Sequence, residues 1–232
     1  MNAAGIQNGH RQMSSSTSSG QSVSSVPWNA VLACAGVLTL AVTLVASYAM
    51  GAAIGSQLTR NTIRLSLAWY AGGLMLMMQL EPHEWNMTTV RGKIARWCWT
   101  WGMVSFLVHL AMAFHFYHSW SHAHAFRHTQ EVSGVGEGLY ASYLFTLLWV
   151  ADALWWWFSP KRYATRSVWF DRMLHAFMLF IIFNATIVFE SGAIRWVSLV
   201  VFGALATTWF LSPRILSGGV AELDGSDGYN AA

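Results

Sequence analysis

Six long apolar runs, covering roughly residues 28–50, 63–80, 97–118, 139–158, 169–190 and 194–212, constrain this chain more than anything else in it. A helix that crosses the hydrocarbon core of a bilayer needs about twenty mainly apolar residues. Five runs reach that length comfortably. The second has only a short uncharged stretch after Arg64, so a tilted or re-entrant piece is the alternative there. Charged residues make up 10% of the 232 and hydrophobic ones 55%, whereas a soluble domain carries about 25% charged residues. Too few charges are present to hold that much apolar surface in water, and lipid is the expected solvent. The expected fold class is an all-α membrane protein, a bundle of about six transmembrane helices.

Residues 1–26 are rich in Ser, Gly, Gln and Asn with Arg11 as their one Lys or Arg. Such a segment buries too little apolar area to offset its ordering entropy, so a disordered tail is expected. The same reasoning makes 214–232 a flexible, mildly acidic tail, leaving 27–213 as the membrane domain. Pro27, Pro82, Pro160 and Pro213 all fall at the edges of the apolar runs, where a residue without an N–H is tolerated.

Basic residues set the expected orientation, because cytoplasmic loops carry the excess of Lys and Arg. Six spans put Arg11, Arg91, Lys93, Arg96, Lys161, Arg162, Arg166, Arg172 and Arg214 on one side, against Arg60, Arg64, Arg127 and Arg195 on the other. Both termini are therefore expected in the cytoplasm, with the chain in a plasma or inner membrane. The tryptophans at 97, 99, 101, 155–157 and 169 are expected to form an inner aromatic belt, with Trp120 and Trp196 at the outer face. The basic residues form no stripe interleaved with aromatics, which argues against nucleic acid as a partner. Partners expected instead are the lipid bilayer and other membrane subunits. Cys34 and Cys98 sit in apolar runs without CxxC spacing and read as small buried hydrophobes.

The chemistry-bearing residues are concentrated. Six of the nine histidines, His109, His115, His118, His122, His124 and His128, fall within twenty positions where the third run ends. If the helix continues outward, His115, His118 and His122 at i, i+3 and i+7 share one face. Three imidazoles suit Zn, Cu or Fe, with a fourth position left for water or for Glu190, Glu131 or Glu137. His124 and His128 form an i, i+4 pair on the opposite face. A solvated, partly stacked helix exit is the competing account of the same cluster.

Deeper in the bilayer, Asp152 and His175 lie about six residues from the inner ends of the fourth and fifth runs, a shared depth of ~10 Å. Intramembrane ionisable groups usually face a partner or a cavity, so the two form a candidate polar pair, with Asp171 at i, i+4 to His175. The alternative role for them is a structural network that fixes helix packing. A haem held by His109 and His175 would need ligands at matching depths, and the ~9 Å offset disfavours it. Membrane desaturases use separated histidine boxes with adjacent His-His pairs, and none occurs in this chain. The expected function is thus a membrane metalloenzyme or redox subunit. The alternatives are a structural or assembly subunit and a small metal-ion or proton transporter.

Overall fold

A computed structural model describes residues 26–51 and 53–212. The tails expected at 1–26 and 214–232 lie almost wholly outside the described residues. Eight α-helices follow in order: α1 (Trp28–Ala49), α2 (Ile54–Met78), α3 (Val90–Tyr117), α4 (His122–Ser133), α5 (Gly138–Phe158), α6 (Pro160–Ala164), α7 (Val168–Phe183) and α8 (Ala193–Phe210). A 3-10 turn (Glu84–Asn86) precedes α3, and α7 runs on into a π-helical turn (Asn184–Val188). No strand occurs among the described residues.

Five helical stretches are long and apolar enough to cross a membrane: Trp28–Ala49, Val90–Tyr117, Gly138–Phe158, Val168–Val188 and Ala193–Phe210. The sixth long helix, α2, has 25 residues and begins well before the expected start at 63. It is a full-length helix rather than a short re-entrant piece. Arg60 and Arg64 lie within it, both exposed.

Close packing against α3 explains how α2 forms despite those arginines. Its inner face carries Thr59, Thr62, Ser66 and Gly73, and the facing side of α3 offers Ala95, Cys98, Gly102 and Ser105, all buried. Small residues let two backbones approach. Ser66 donates to the Gly102 carbonyl at 2.8 Å, and the His109 ring nitrogen Nδ1 lies 2.8 Å from the Thr59 carbonyl. A Cβ added at Gly73 would lie 3.2 Å from the Trp99 backbone nitrogen. α1 joins this pair through Asn61 Nδ2, which donates to Ser47 Oγ at 2.9 Å, and Trp101 Nε1, which donates to the Leu32 carbonyl at 3.2 Å.

The core is aromatic. Tyr70, Trp99, Trp149 and Phe106 pack with ring centroids 5.3–5.7 Å apart, and Trp85, Trp156 and Tyr163 form a second stack. The expected inner belt is therefore corrected at two positions, since Trp99 and Trp156 are fully buried. Helical rotation carries one tryptophan of each run inward. Trp120, Trp169 and Trp196 are exposed, as an interfacial position requires.

Candidate functional site

The ends of α2, α5 and α8 and the starts of α3 and α7 meet at one end of the bundle, the inner end of the expected topology. A buried charged cluster is assembled there. Asp152, on α5, is 3% exposed, and its Oδ2 accepts hydrogen bonds from Trp99 Nε1 and Tyr163 OH, both at 2.9 Å. Its other oxygen lies 3.8 Å from Arg166 Nη1, close enough for charge attraction but too long for a hydrogen bond. Arg166, just before α7, turns its Nε to Asp171 Oδ1 at 3.0 Å, and its Nη2 contacts the same oxygen. His175 Nε2 then lies 3.4 Å from that carboxylate, one helical turn on.

Local sequence dictates this arrangement. Pro160 opens α6 as a short turn after α5, which brings Tyr163 and Arg166 back against the helix they have just left. The Arg166 guanidinium lies 3.7 Å from the centroid of the Tyr163 ring, and Trp156 stacks on the same ring at 4.8 Å and 7°. Burial, followed by the charge of Asp152, pushes the Tyr163 phenol well above its usual range, so it remains a hydrogen-bond donor.

Asp152 and His175, expected as a pair, are not in direct contact, since Arg166 and Asp171 stand between them. Sequence reasoning counted Arg166 only as a loop cation. Asp171 and His175 share one side of α7 at i, i+4, whereas Arg166 precedes the helix, where helical spacing places nothing.

Beside the cluster lies a cavity of about 460 Å³ between α2, α7 and α8. Its walls are apolar (Leu74, Met77, Leu179, Phe202, Leu205, Trp209) except along one edge, where Asp171, Arg172, His175 and Ser212 contribute polar atoms. His175 Nδ1 is buried and has no hydrogen-bond partner among the described residues. The cavity therefore offers an apolar space with one exposed guanidinium, that of Arg172, at its edge and with His175 in its wall.

The outer histidines are arranged differently from the expected face. α3 ends at Tyr117, and Ser119 and Trp120 take positive φ values of 48° and 59°. The chain re-enters a helix only at His122, where the Ser121 side chain caps α4 by accepting from the His124 N–H. That break separates His115 and His118 from His122. His115 is exposed with its ring against Phe116, while His122 Nδ1 lies 3.0 Å from the Tyr143 hydroxyl. His118 instead faces the other pair, with ring centroids 5.7 Å from His124 and 5.4 Å from His128. Partial burial, then the neighbouring His128 and His124, hold the His118 imidazole below its usual pKa.

Glu131 and Glu137 are exposed, and Glu190 forms no ion pair with Arg195 among the described residues. No group of three His, Cys, Asp or Glu side chains that could hold a metal ion is present among the described residues. His109 and His175 belong to separate environments, the first bonded to α2 and the second to Asp171.

Comparison of the chain with protein-family models, with curated proteins and with solved structures returns no match. What the chain can do rests on the geometry just described.

Proposed function

We propose that this is an integral membrane protein of six spans, α2 included, that takes a molecule from the bilayer into its inner cavity and exchanges a proton with it through His175. One observation carries the reading: Asp171 and His175, 3.4 Å apart, both line an otherwise apolar cavity, and the buried Nδ1 of the histidine has no hydrogen-bond partner among the described residues. In the neutral ring, Nε2–H points to Asp171, which leaves Nδ1 as a proton acceptor. Asp171 then stabilises the imidazolium that forms, and Arg166 fixes Asp171. Asp152, Tyr163 and Trp99 hold Arg166 from behind. The other charged group at the cavity edge is Arg172, and Tyr70 is the nearest further titratable group on α2.

The test is proton counting. Purified protein in weakly buffered detergent receives a total lipid extract of its host membrane while a pH dye is followed. Wild type should take up or release up to one proton per protein, and His175→Gln none. Absence of any change in wild type would sink the reading.

A second reading keeps the metal expectation and moves it to His118, His124 and His128, on the ring separations above. The rings would have to turn for their nitrogens to converge. Metal analysis after loading with Zn, Cu or Fe, for wild type against the triple His→Ala variant, decides it. Equal metal content in the two proteins would remove that reading.

A further inference from the structure

A second cavity, of about 390 Å³, lies between α2, the outer half of α7 and α8. Its walls are largely apolar, among them Leu67, Ala71, Ile182, Val197 and Val201, and Arg64 is the one charged residue in its lining. Arg64, Ala68, Ala193 and Val197 are exposed. The cavity is therefore a groove that opens sideways between α2 and α8, onto lipid in a chain that spans a bilayer.

The register of α2 and α8, which run parallel, sets the depth of Arg64. At their inner ends Gln79 Nε2 donates to the Thr208 carbonyl at 3.4 Å. Counting back ~22 Å along each helix at the helical rise reaches Arg64 and Ile194, and both line the groove. α8 has 18 residues, ~27 Å at that rise, close to the ~30 Å hydrocarbon thickness of a bilayer. Its start thus marks the outer boundary of the hydrocarbon, where the exposed Trp196 also stands. Arg64 lies at headgroup level, on the rim of an apolar groove that runs inward from it.

This rim has cations without anions. Arg60 lies one turn before Arg64 on the same face of α2 and is exposed too; like charges at i, i+4 repel and weaken a helix. Arg64 Nη1 donates to Asn61 Oδ1 at 3.2 Å. Neither arginine forms an ion pair among the described residues, and neither does Arg195 at the start of α8. Glu190, the acidic residue just before α8, pairs with none of the three.

We propose that this groove is a binding site for a phospholipid of net negative charge, its phosphate held by Arg60 and Arg64 and its acyl chains laid between α2 and α8. The planar guanidinium matches a phosphate through two parallel hydrogen bonds. A phosphate beside both arginines replaces their mutual repulsion with two attractions. A zwitterionic headgroup does so only in part, because its own ammonium adds a third cation. Basic pockets between transmembrane helices recognise anionic headgroups by the same charges. A free phosphate ion would meet the same arginines but leave the apolar groove unused, and the groove faces lipid. The site is independent of His175 and of proton exchange at the inner end.

The full-length protein in detergent, stripped of lipid, is titrated with dioleoyl phosphatidylglycerol, dioleoyl phosphatidylcholine and glycerol 3-phosphate, and bound ligand is counted by native mass spectrometry. Phosphatidylglycerol should bind roughly tenfold more tightly than phosphatidylcholine, the weight of one charge-assisted hydrogen bond. Glycerol 3-phosphate should bind far more weakly than either lipid. Arg60→Gln with Arg64→Gln should remove the advantage of phosphatidylglycerol. Ala68→Trp, at an exposed position of the groove that leaves the core alone, should weaken both lipids. Lys161→Gln with Arg162→Gln, which removes two charges at the inner end, should leave the advantage in place. Equal affinity for the two lipids in wild type would overturn the proposal. So would a loss of the advantage as large in the inner pair as in the Arg60 and Arg64 pair, or lipid binding untouched by Ala68→Trp. Glycerol 3-phosphate bound as tightly as phosphatidylglycerol would make this a site for free phosphate and overturn the lipid assignment.

Discussion

Truncating Asp152 to alanine should destabilise the bundle by about 3 kcal/mol. Two donors, Trp99 Nε1 and Tyr163 OH, each give a hydrogen bond to one carboxylate oxygen at 2.9 Å. A hydrogen bond to a charged group is worth roughly 1.5–3 kcal/mol, and a buried donor left unpaired costs about 1–3 kcal/mol. Two effects offset part of that sum. Removing the carboxylate relieves the cost of burying its charge, and Arg166 keeps Asp171 as a partner. Since 1.4 kcal/mol is tenfold in an equilibrium constant, the folded-to-unfolded ratio should fall by roughly a hundredfold at a matched denaturant concentration. Asp152→Asn, which retains an acceptor for one or both donors, should lose about half as much. Replacing Asp152, Arg166 and Asp171 together by leucine and methionine should cost at least as much as Asp152→Ala, because Trp99 Nε1 and Tyr163 OH still lose their acceptor. Equilibrium unfolding in mixed micelles, read by tryptophan fluorescence, measures all three. If Asp152→Ala lies within ~0.5 kcal/mol of wild type, the range of an ordinary surface change, the cluster is not holding α3, α5 and α7 together.

Gly102→Ala should cost about 1–3 kcal/mol as an overpacked core position does, because its Cβ would lie 2.9 Å from the Trp149 ring; the same unfolding assay reads it. Glu84 supplies an acid-sensitive contribution. The Glu81 backbone N–H, with help from the Thr89 hydroxyl and Arg91, holds its carboxyl below the usual range. Its stabilisation is therefore complete above the ordinary glutamate value of about 4.3 and is lost as pH falls through the lowered folded value. Glu84→Gln should flatten the acid limb of a stability-against-pH curve. His118 acts higher on the scale, since a base with a lowered folded pKa also stabilises above its unfolded value, here about 6.5, and loses that contribution as pH falls. His118→Gln should remove the corresponding slope below about pH 6.5, measured by the same unfolding at stepped pH.

Much of the bundle could be read from apolar run length and proline position, because both follow from the solvent rather than from tertiary detail. The end of α3 near His118 and the turn at Gly134 were legible for the same reason. α2 was underestimated at its start, since Arg60 and Arg64 interrupt its apolar pattern while its stability comes from a small-residue face that hydropathy does not register. The histidine face failed at Ser119 and Trp120. Neither residue type announces a positive φ, so a periodic extrapolation ran straight through a break. Arg166 was hidden by its position in a loop, and only the fold-back started by Pro160 carries it under Tyr163. The cavities had no sequence signature at all, because they arise from how α7 and α8 lean away from α2.

The seam between α2 and α3 also bears on how such a chain would be made. Arg60 and Arg64 lie in the first half of α2 and weaken its partition into lipid by itself. Its glycine and hydroxyl face gains its partner only once α3 has been synthesised. α2 would then wait at the mouth of the insertion machinery and enter as half of a hairpin. The short stretch from Gln79 to Thr89 is the hinge of that event. Lengthening it would delay insertion, provided that Glu84 and Trp85 keep their places against Thr89, Trp156 and Tyr163.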